Sequence, residues 1–568
     1  MAMRFFSGSN WDVKKVFLAI TMFLGVIFVG NSINNDVWFL LNSGRYVETY
    51  GIPHVEPFTV HENLHFVMQQ WMFALMLWKI YVAWGLSGLI VFQWAAGAVL
   101  LYVFFKLNYL VSRGNFDLSA IMTCFIGILF CAGFVCQRPW VASHLIFMLE
   151  IFLLEYYSHK QSKWLFALFP LLSVLLINLH ASMWPMLFLF LLPYLAEIIL
   201  CGCAGFLGKC TVAWTWRKII LLAALMLAAA FINPYGIEAM TYTYYSYGIA
   251  EINRYISEMD VLSIRVLLGL PIFSMFAVTA VYSRNKVPLH YILLTAGTGL
   301  MSLLAIRSFF LYLLFGALGV AYVYHDWKGL EIQRHYEKDF VCVRYGMLVS
   351  IFILLLILLW QNEAFLQDCI SGKYEGGSLI IVLLAFLLIV AVVAFLIRKR
   401  IDKDGSAGII IASLVLMVAS LIPLKCTVYN DVVMSRAWDD CVEILQQRAP
   451  IEELSVYTGY NEGGYFEFYG MRCYMDARAE VFIKQVNVQK DIFHEYVMLC
   501  NGRINYKEFM ENYHFTHILV NNYEALYESL QDDDDYLLLY DSDEAGTTEE
   551  SSEEGAEPLK YRLYEVKR

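Results

Sequence analysis

Apolar residues in this chain come in long blocks. Crossing a bilayer takes about 20 apolar residues. Runs near that length are centred on 16–32, 86–105, 118–135, 143–157, 164–179, 183–202, 219–232, 267–283, 289–306, 308–324, 345–360, 376–397 and 408–423. The pattern predicts an α-helical polytopic membrane protein with about 13 transmembrane helices, all within residues 1–424. After 424 the blocks give way to mixed polar and apolar stretches. "LSVYT", "RCYMD", "THILVNN", "DYLLLY" and "KYRLYEV" predict short strands, while "DDCVEILQQR" and "YKEFMENY" predict helices. Residues 425–568 suffice for one small α/β domain.

One apolar run breaks the layout. "FVMQQWMFALMLWKIYVAW" (66–84) is apolar enough to cross, yet Gln69, Gln70 and Lys79 interrupt it. Charge decides its reading. With the N-terminus inside, the inner connections carry 20 Lys and Arg, against 7 in the outer ones up to residue 423. If 66–84 crossed as well, 17 of those 20 would move outside. The run is therefore expected to lie along the outer interface, where its Trp and Tyr are at home. The expected location is the cell membrane, with the N-terminus cytoplasmic and 425–568 extracytoplasmic.

Composition adds little beyond this. The 568 residues are 59% hydrophobic and 16% charged, which excludes an ordinary soluble protein. The net charge of −11 comes from twelve acids between Asp532 and Glu557, a stretch with no Lys or Arg. Within it, 541–558 reads as a disordered, solvated acidic loop. No nucleic-acid partner is expected. Twelve Cys are scattered without a CxxC, so there is no zinc or redox motif. Pairing among Cys426, Cys441, Cys473 and Cys500 is not readable from their spacing.

Candidate chemistry collects at the outer ends of the spans. Asp36 follows the first span, in an outer loop covering 33–85. Arg138 ends the third, and Asn178 and His180 end the fifth. Glu258 follows the seventh, and Arg307 lies between the ninth and tenth. Each has an unremarkable reading: an Arg snorkels, a His donates structurally, an Asp caps a helix, and Asn-Pro-Tyr-Gly (233–236) makes a turn. Together they place acids, a His and two Arg at one membrane depth. Ionisable groups kept near lipid tend to be functional. The mixture suits a substrate with a lipid tail and an anionic head, because Arg grips phosphate bidentately and a carboxylate can take a proton from a hydroxyl.

The segment "DVWFLLNSGRYVETYGIPHVEPFT" (36–59), followed by "QQWM", resembles the first outer loop of the bacterial GT-C superfamily of multi-pass glycosyltransferases. That superfamily includes protein O-mannosyltransferase-like and aminoarabinose-transferase-like enzymes, and the likeness is to an uncharacterised branch. "QRPW", "INLHASMW", "INPYG" and "AIRSFF" resemble later elements, in order. "YNEGGYFEFYGMRCYMDARAEVF" resembles an outer-domain signature, with Ala477 between Asp476 and Arg478 where Gly is usual. Glu56 stands where many members have Asp.

The resemblance implies a polyprenyl-phosphate-linked sugar donor used on the outer face. The acceptor would be a hydroxyl on a cell-envelope glycan, lipid or protein. Asp36 would be the catalytic base. Glu56 would orient the acceptor or hold a divalent cation, the one cofactor left open. Arg138 and Arg307 would neutralise the phosphate, and His180, Asn178 and Glu258 would line the site. Gly44, Gly51 and Pro53 would turn the chain so that Glu56 approaches, leaving Glu48 and Glu62 solvated.

Two alternatives stay open. A lipid-linked glycan transporter or flippase would keep its polar groups mid-membrane, where Glu150 and Glu197 are the main acids. A polysaccharide polymerase or ligase of related architecture would differ mainly in donor length. The sequence names neither the sugar nor the acceptor.

Overall fold

The computed structural model describes residues 29, 33–200, 211–246, 248–249, 252, 255, 287–305, 308–323, 435–547 and 558–567. The expected spans at 16–32 (all but residue 29), 267–283, 345–360, 376–397 and 408–423 lie outside the described residues, as do Glu258 and Arg307.

Asp36 is followed by α1 (Val37–Tyr50). Gly51, at φ 86°, stops this helix, its N–H donating to Val47 O at 3.1 Å. Positive φ is costly for any residue with a Cβ. A stretch of bridges and turns leads to α2 (Trp71–Val111), whose regularity breaks at Gly85 (φ 62°, ψ −156°). The break falls where the interfacial run was expected to end and the next span to begin. The helix starts at Trp71, later than position 66, because residues 66–69 are used in docking. Phe66 N–H donates to His54 O, and Gln69 O accepts from Ala181 N–H.

Four further helices match expected spans: α3 (Trp140–Lys160), α4 (Leu168–Leu179), α5 (Met186–Leu200) and α6 (Trp216–Ala229). A short helix, α7 (Ile237–Ser246), precedes α8 (Leu289–Leu304). Two more expected spans, within 116–134 and 309–323, are helical with a π-helical turn in each. Among the described residues, three helical stretches are long and apolar enough to cross a membrane: Trp71–Val111, Trp140–Lys160 and Ala181–Leu200.

The C-terminal residues build a five-stranded sheet: β1 (Ser455–Tyr457), β2 (Arg472–Cys473), β3 (His517–Asn521), β4 (Tyr536–Asp541) and β5 (Tyr561–Val566), in the order β2-β1-β3-β5-β4. All five fall in expected strand segments. Helices α9 (Arg436–Arg448), α10 (Gly463–Phe468), α11 (Ile492–Cys500) and α12 (Tyr506–Tyr513) surround it. β2 is shorter than "RCYMD" suggests because Asp476 Oδ1 accepts the Arg478 backbone N–H at 2.8 Å, turning the chain out of the sheet. The acidic loop also needs correcting. Asp541 ends β4 and pairs with Arg562 at 2.7 Å, and Ser542–Ala545 forms a helical turn. Residues 541–547 are thus ordered, because β5 brings a cation to them. Cys441, Cys473 and Cys500 are free thiols.

The break at residue 424 is not a break in packing. Val37, Trp38, Leu40 and Leu41 of α1 share one core with Phe73 and Leu77 of α2 and with Trp438, Tyr465, Phe466 and Leu563. Gly44 does not turn the chain. It lies inside α1, where a Cβ would sit 2.2 Å from Ala74 O, so its missing side chain lets α1 and α2 touch. Gly463 plays the same part in α10, its virtual Cβ being 1.8 Å from Met475 O.

Candidate active site

Two helix N-termini meet at the start of the first outer segment. Asp36 immediately precedes α1, and Arg138 and Pro139 immediately precede α3. Arg138 Nε lies 2.8 Å from Asp36 Oδ2 and also donates to Asn34 Oδ1 at 3.0 Å. Asn34 Oδ1 accepts the Asp36 N–H at 3.0 Å as well, and Asn34 N–H donates to Gln137 Oε1 at 3.1 Å. The two charged side chains are thus set by a short polar brace. They stay 22% and 23% exposed, open enough to exchange partners. A negative charge is stabilised both by the α1 N-terminus and by the guanidinium.

His180 ends α4 close to this pair. Its Nδ1 lies 2.7 Å from Ser143 Oγ on α3, and its ring meets Trp140 edge-on at 5.2 Å. Asn178 is committed to structure. It accepts from Trp71 Nε1 at 3.0 Å and donates to Val174 O and Ile232 O, both at 2.8 Å. The Asn233–Gly236 turn docks on the first outer segment through Tyr235 OH, which donates to Pro53 O at 2.7 Å. Arg138 thus meets Asp36 directly, while His180 packs on Trp140 and Ser143 of α3, the helix that Arg138 precedes, and Asn178 ties α4 to Trp71.

Glu56 goes elsewhere, which departs from the expectation that it would approach the acceptor. Its side chain is fully buried. Its oxygens accept from Thr59 N–H at 2.9 Å, Thr59 Oγ1 at 2.7 Å and Arg478 Nη2 at 2.9 Å. Arg478 in turn binds both oxygens of Asp476, with Nε at 2.9 and 2.7 Å. Its guanidinium lies over the rings of Phe58 and Phe66 at 5.1 and 5.3 Å. Burial pushes the nearby Glu467 carboxyl well above the usual range, with Asp476 adding to the rise. This cluster clamps the first outer segment to the sheet. Glu48 is not merely solvated either, since it accepts from Trp78 Nε1 and pairs with Lys79.

Sequence reading missed the residues that join the two clusters. Asn35 Nδ2 donates to Asn461 O at 2.6 Å, and Tyr460 OH donates to Ala477 O at 2.9 Å. The loop before α10 thus reaches from Arg478 to the Asp36 segment. Burial, and then the nearby charge of Asp36, push the Tyr460 phenol well up. The signal was the glycine pair in "YNEGGY". Gly464 lets α10 lie against Phe39, its virtual Cβ being 3.3 Å from Phe39 N.

Asp36 stands beside a cation, and Glu56 is engaged by Arg478. Among the described residues no group of three or more His, Cys, Asp or Glu could hold a metal. Of the mid-span acids, Glu197 bonds His290 Nδ1 at 2.6 Å and the Thr211 and Val212 N–H groups. Glu150 is fully buried, and neither of its oxygens meets a donor.

No family model matches the sequence, and no curated protein matches it. Solved structures do match. ArnT from Cupriavidus metallidurans in the apo state superposes with a TM-score of 0.57 at 11% identity, over 98% of each chain. The same protein bound to undecaprenyl phosphate gives 0.55 at 11% identity, again over 98% of each. The Archaeoglobus fulgidus oligosaccharyltransferase tethered with an acceptor peptide gives 0.53 at 10% identity, over 91% of this chain and 70% of that one. These likenesses show a shared fold, in agreement with the GT-C resemblance read from the motifs.

Proposed function

We propose that this protein moves a sugar from a polyprenyl-phosphate-linked donor to an acceptor hydroxyl on the outer face of the membrane. The observation that carries the reading is the Asp36–Arg138 pair, braced yet partly exposed, at the meeting of two helix N-termini. One group can take a proton and the other can hold a phosphate. The GT-C fold supports lipid-linked glycosyl transfer in general, and one structural neighbour is bound to undecaprenyl phosphate.

In this reading the donor phosphate draws Arg138 away from Asp36. Asp36 then accepts the proton of the acceptor hydroxyl as its oxygen attacks the anomeric carbon. The bond from that carbon to the phosphate oxygen breaks, and the polyprenyl phosphate leaves against Arg138. Attack from the face opposite the leaving group inverts the anomeric centre. Arg307 would give a second grip on the phosphate, and His180 a hydrogen bond to phosphate or sugar. Glu258 would face the acceptor. Glu56 would act at a distance, by fixing the segment that carries Asp36. Stabilising a phosphate leaving group is often worth several kcal/mol.

The outer location rests on the Lys and Arg distribution. The test combines topology and chemistry. In a Cys-free background, Gln161→Cys should label only from inside and Ser529→Cys only from outside. Purified protein given radiolabelled undecaprenyl-phosphate sugars and envelope extract should then pass label to an acceptor seen by mass spectrometry. Labelling of both positions from one side, or no transfer from any lipid-linked sugar, would overturn the reading.

A further inference from the structure

Beside the Asp36–Arg138 pair, the structure holds a second polar group that the proposed mechanism leaves idle. Gln69 precedes α2, and Glu480 follows the Asp476–Arg478 turn. Gln69 Nε2 donates to Glu480 Oε1 at 3.0 Å, and Tyr242 OH approaches the same oxygen at 3.4 Å. No other side-chain donor among the described residues reaches Glu480. Gln69 Oε1 is buried and meets no hydrogen-bond donor among the described residues. Glu480, Gln69 and Tyr460 are each partly buried and keep some accessible surface. Tyr460, whose OH donates to Ala477 O, lies within electrostatic reach of both Asp36 and Glu480.

We propose that Gln69 and Glu480 form a hydroxyl-binding subsite for a sugar ring next to the Asp36–Arg138 pair. The inference rests on the transferase reading and deepens it, by naming the side chains that grip the sugar. A ring hydroxyl can donate to the unfilled Gln69 Oε1 and hydrogen-bond the neighbouring Glu480 carboxyl. An unfilled buried acceptor is costly, so a ligand that supplies a donor gains what the empty site forgoes. Burial raises the Glu480 pKa, against its own backbone N–H, Arg478 and Gln69, which lower it. The group is pre-set. Gln69 O is held by Ala181 N–H at 2.9 Å, and Thr243 Oγ1 ties α7 to Ser182 O at 2.6 Å. This second acid beside the reaction centre takes the place the sequence had suggested for Glu56.

The test uses the full-length protein in nanodiscs, which avoids sugar-headed detergents. Saturation-transfer NMR is run with methyl glycosides of glucose, mannose, galactose and N-acetylglucosamine. Wild type should bind at least one of them. Glu480→Ala and Gln69→Leu should each weaken that glycoside by about tenfold, the scale of one or two lost hydrogen bonds. Melting temperatures close to wild type in either variant exclude misfolding. Displacement by an undecaprenyl-phosphate sugar marks the subsite as the donor's, and co-binding marks it as the acceptor's. No glycoside binding by wild type, or equal binding by wild type and both variants, overturns the proposal. An Asp36→Asn protein that still transfers sugar would undo the catalytic reading and leave this result untouched.

Discussion

Two acid–arginine pairs begin in the same short motif and end in opposite circumstances. Asp36 and Arg138 are each about a quarter exposed, form an ion pair and share a polar brace. Glu56 and Arg478 are sealed, with side-chain exposures of 0% and 2%, and the Arg also binds Asp476 and lies between two rings. A sealed pair cannot trade partners without leaving a charge stranded, which is why breaking one costs about 3–5 kcal/mol. A partly wet pair can trade at little cost. In the proposed mechanism the first pair carries chemistry and the second anchors, although each joins a carboxylate to an arginine.

The sharpest way to break this contrast is Asp36→Asn. Transfer should fall by about 10²–10⁴-fold, the range for loss of a general base, while melting temperature and undecaprenyl-phosphate binding stay near wild type. Normal turnover would strip Asp36 of its role. The mirror experiment is Arg478→Gln. It should destabilise the protein by about 3–5 kcal/mol in thermal or denaturant melts, because Glu56 and Asp476 lose their shared cation. A variant that melts like wild type yet loses transfer would move Arg478 into the catalytic machinery.

Arg138→Lys keeps a charge but loses the planar fork, so transfer should drop by about tenfold or more with little change in melting. An unchanged rate would reduce Arg138 to snorkelling. Gly44→Ala tests the platform under the first pair. Its Cβ would meet the Ala74 carbonyl, and the overpacking should cost about 1–3 kcal/mol.

The smallest effect concerns pH. Burial, with Glu462 nearby, raises the Glu524 carboxyl from 4.5 to about 8, and Tyr457, Asn521 and Cys500 hydrogen-bond to it. Its folded form holds a proton that the unfolded chain releases near 4.5. This contribution is complete below 4.5 and is lost as pH rises towards about 8. Melting temperature should therefore fall across that window, and Glu524→Gln should flatten the slope. An identical slope in the variant would place the titration elsewhere.

Much of the architecture was legible from local pattern. Apolar block length marked the helices between 86 and 323 that the structure describes, except α7 (Ile237–Ser246), and all five strands fall in segments read as strands. The Lys79-interrupted run was separated from the following span at Gly85. These features depend on residues near one another in the chain, so a linear reading reaches them. Asp36 and Arg138 were also visible, because helix ends in a membrane protein concentrate polar groups. Tyr460 and Glu480 were not. Nothing in "GYNEGG" or "ARAEVF" says which membrane-end residue each will meet, since α10 must first settle on α1 across a glycine contact.

What the sequence alone determined, then, was the kind and order of most elements among the described residues. Hydrophobic length and local propensity act over a few residues and need no partner. Tertiary structure decided which acid is exposed and which is sealed. Glu56 and Arg478 are 422 residues apart, and their burial comes from packing the first outer segment against a sheet completed only at the end of the chain. A carboxylate's role follows from the water and the cations around it, and those are supplied by distant segments that only folding brings together.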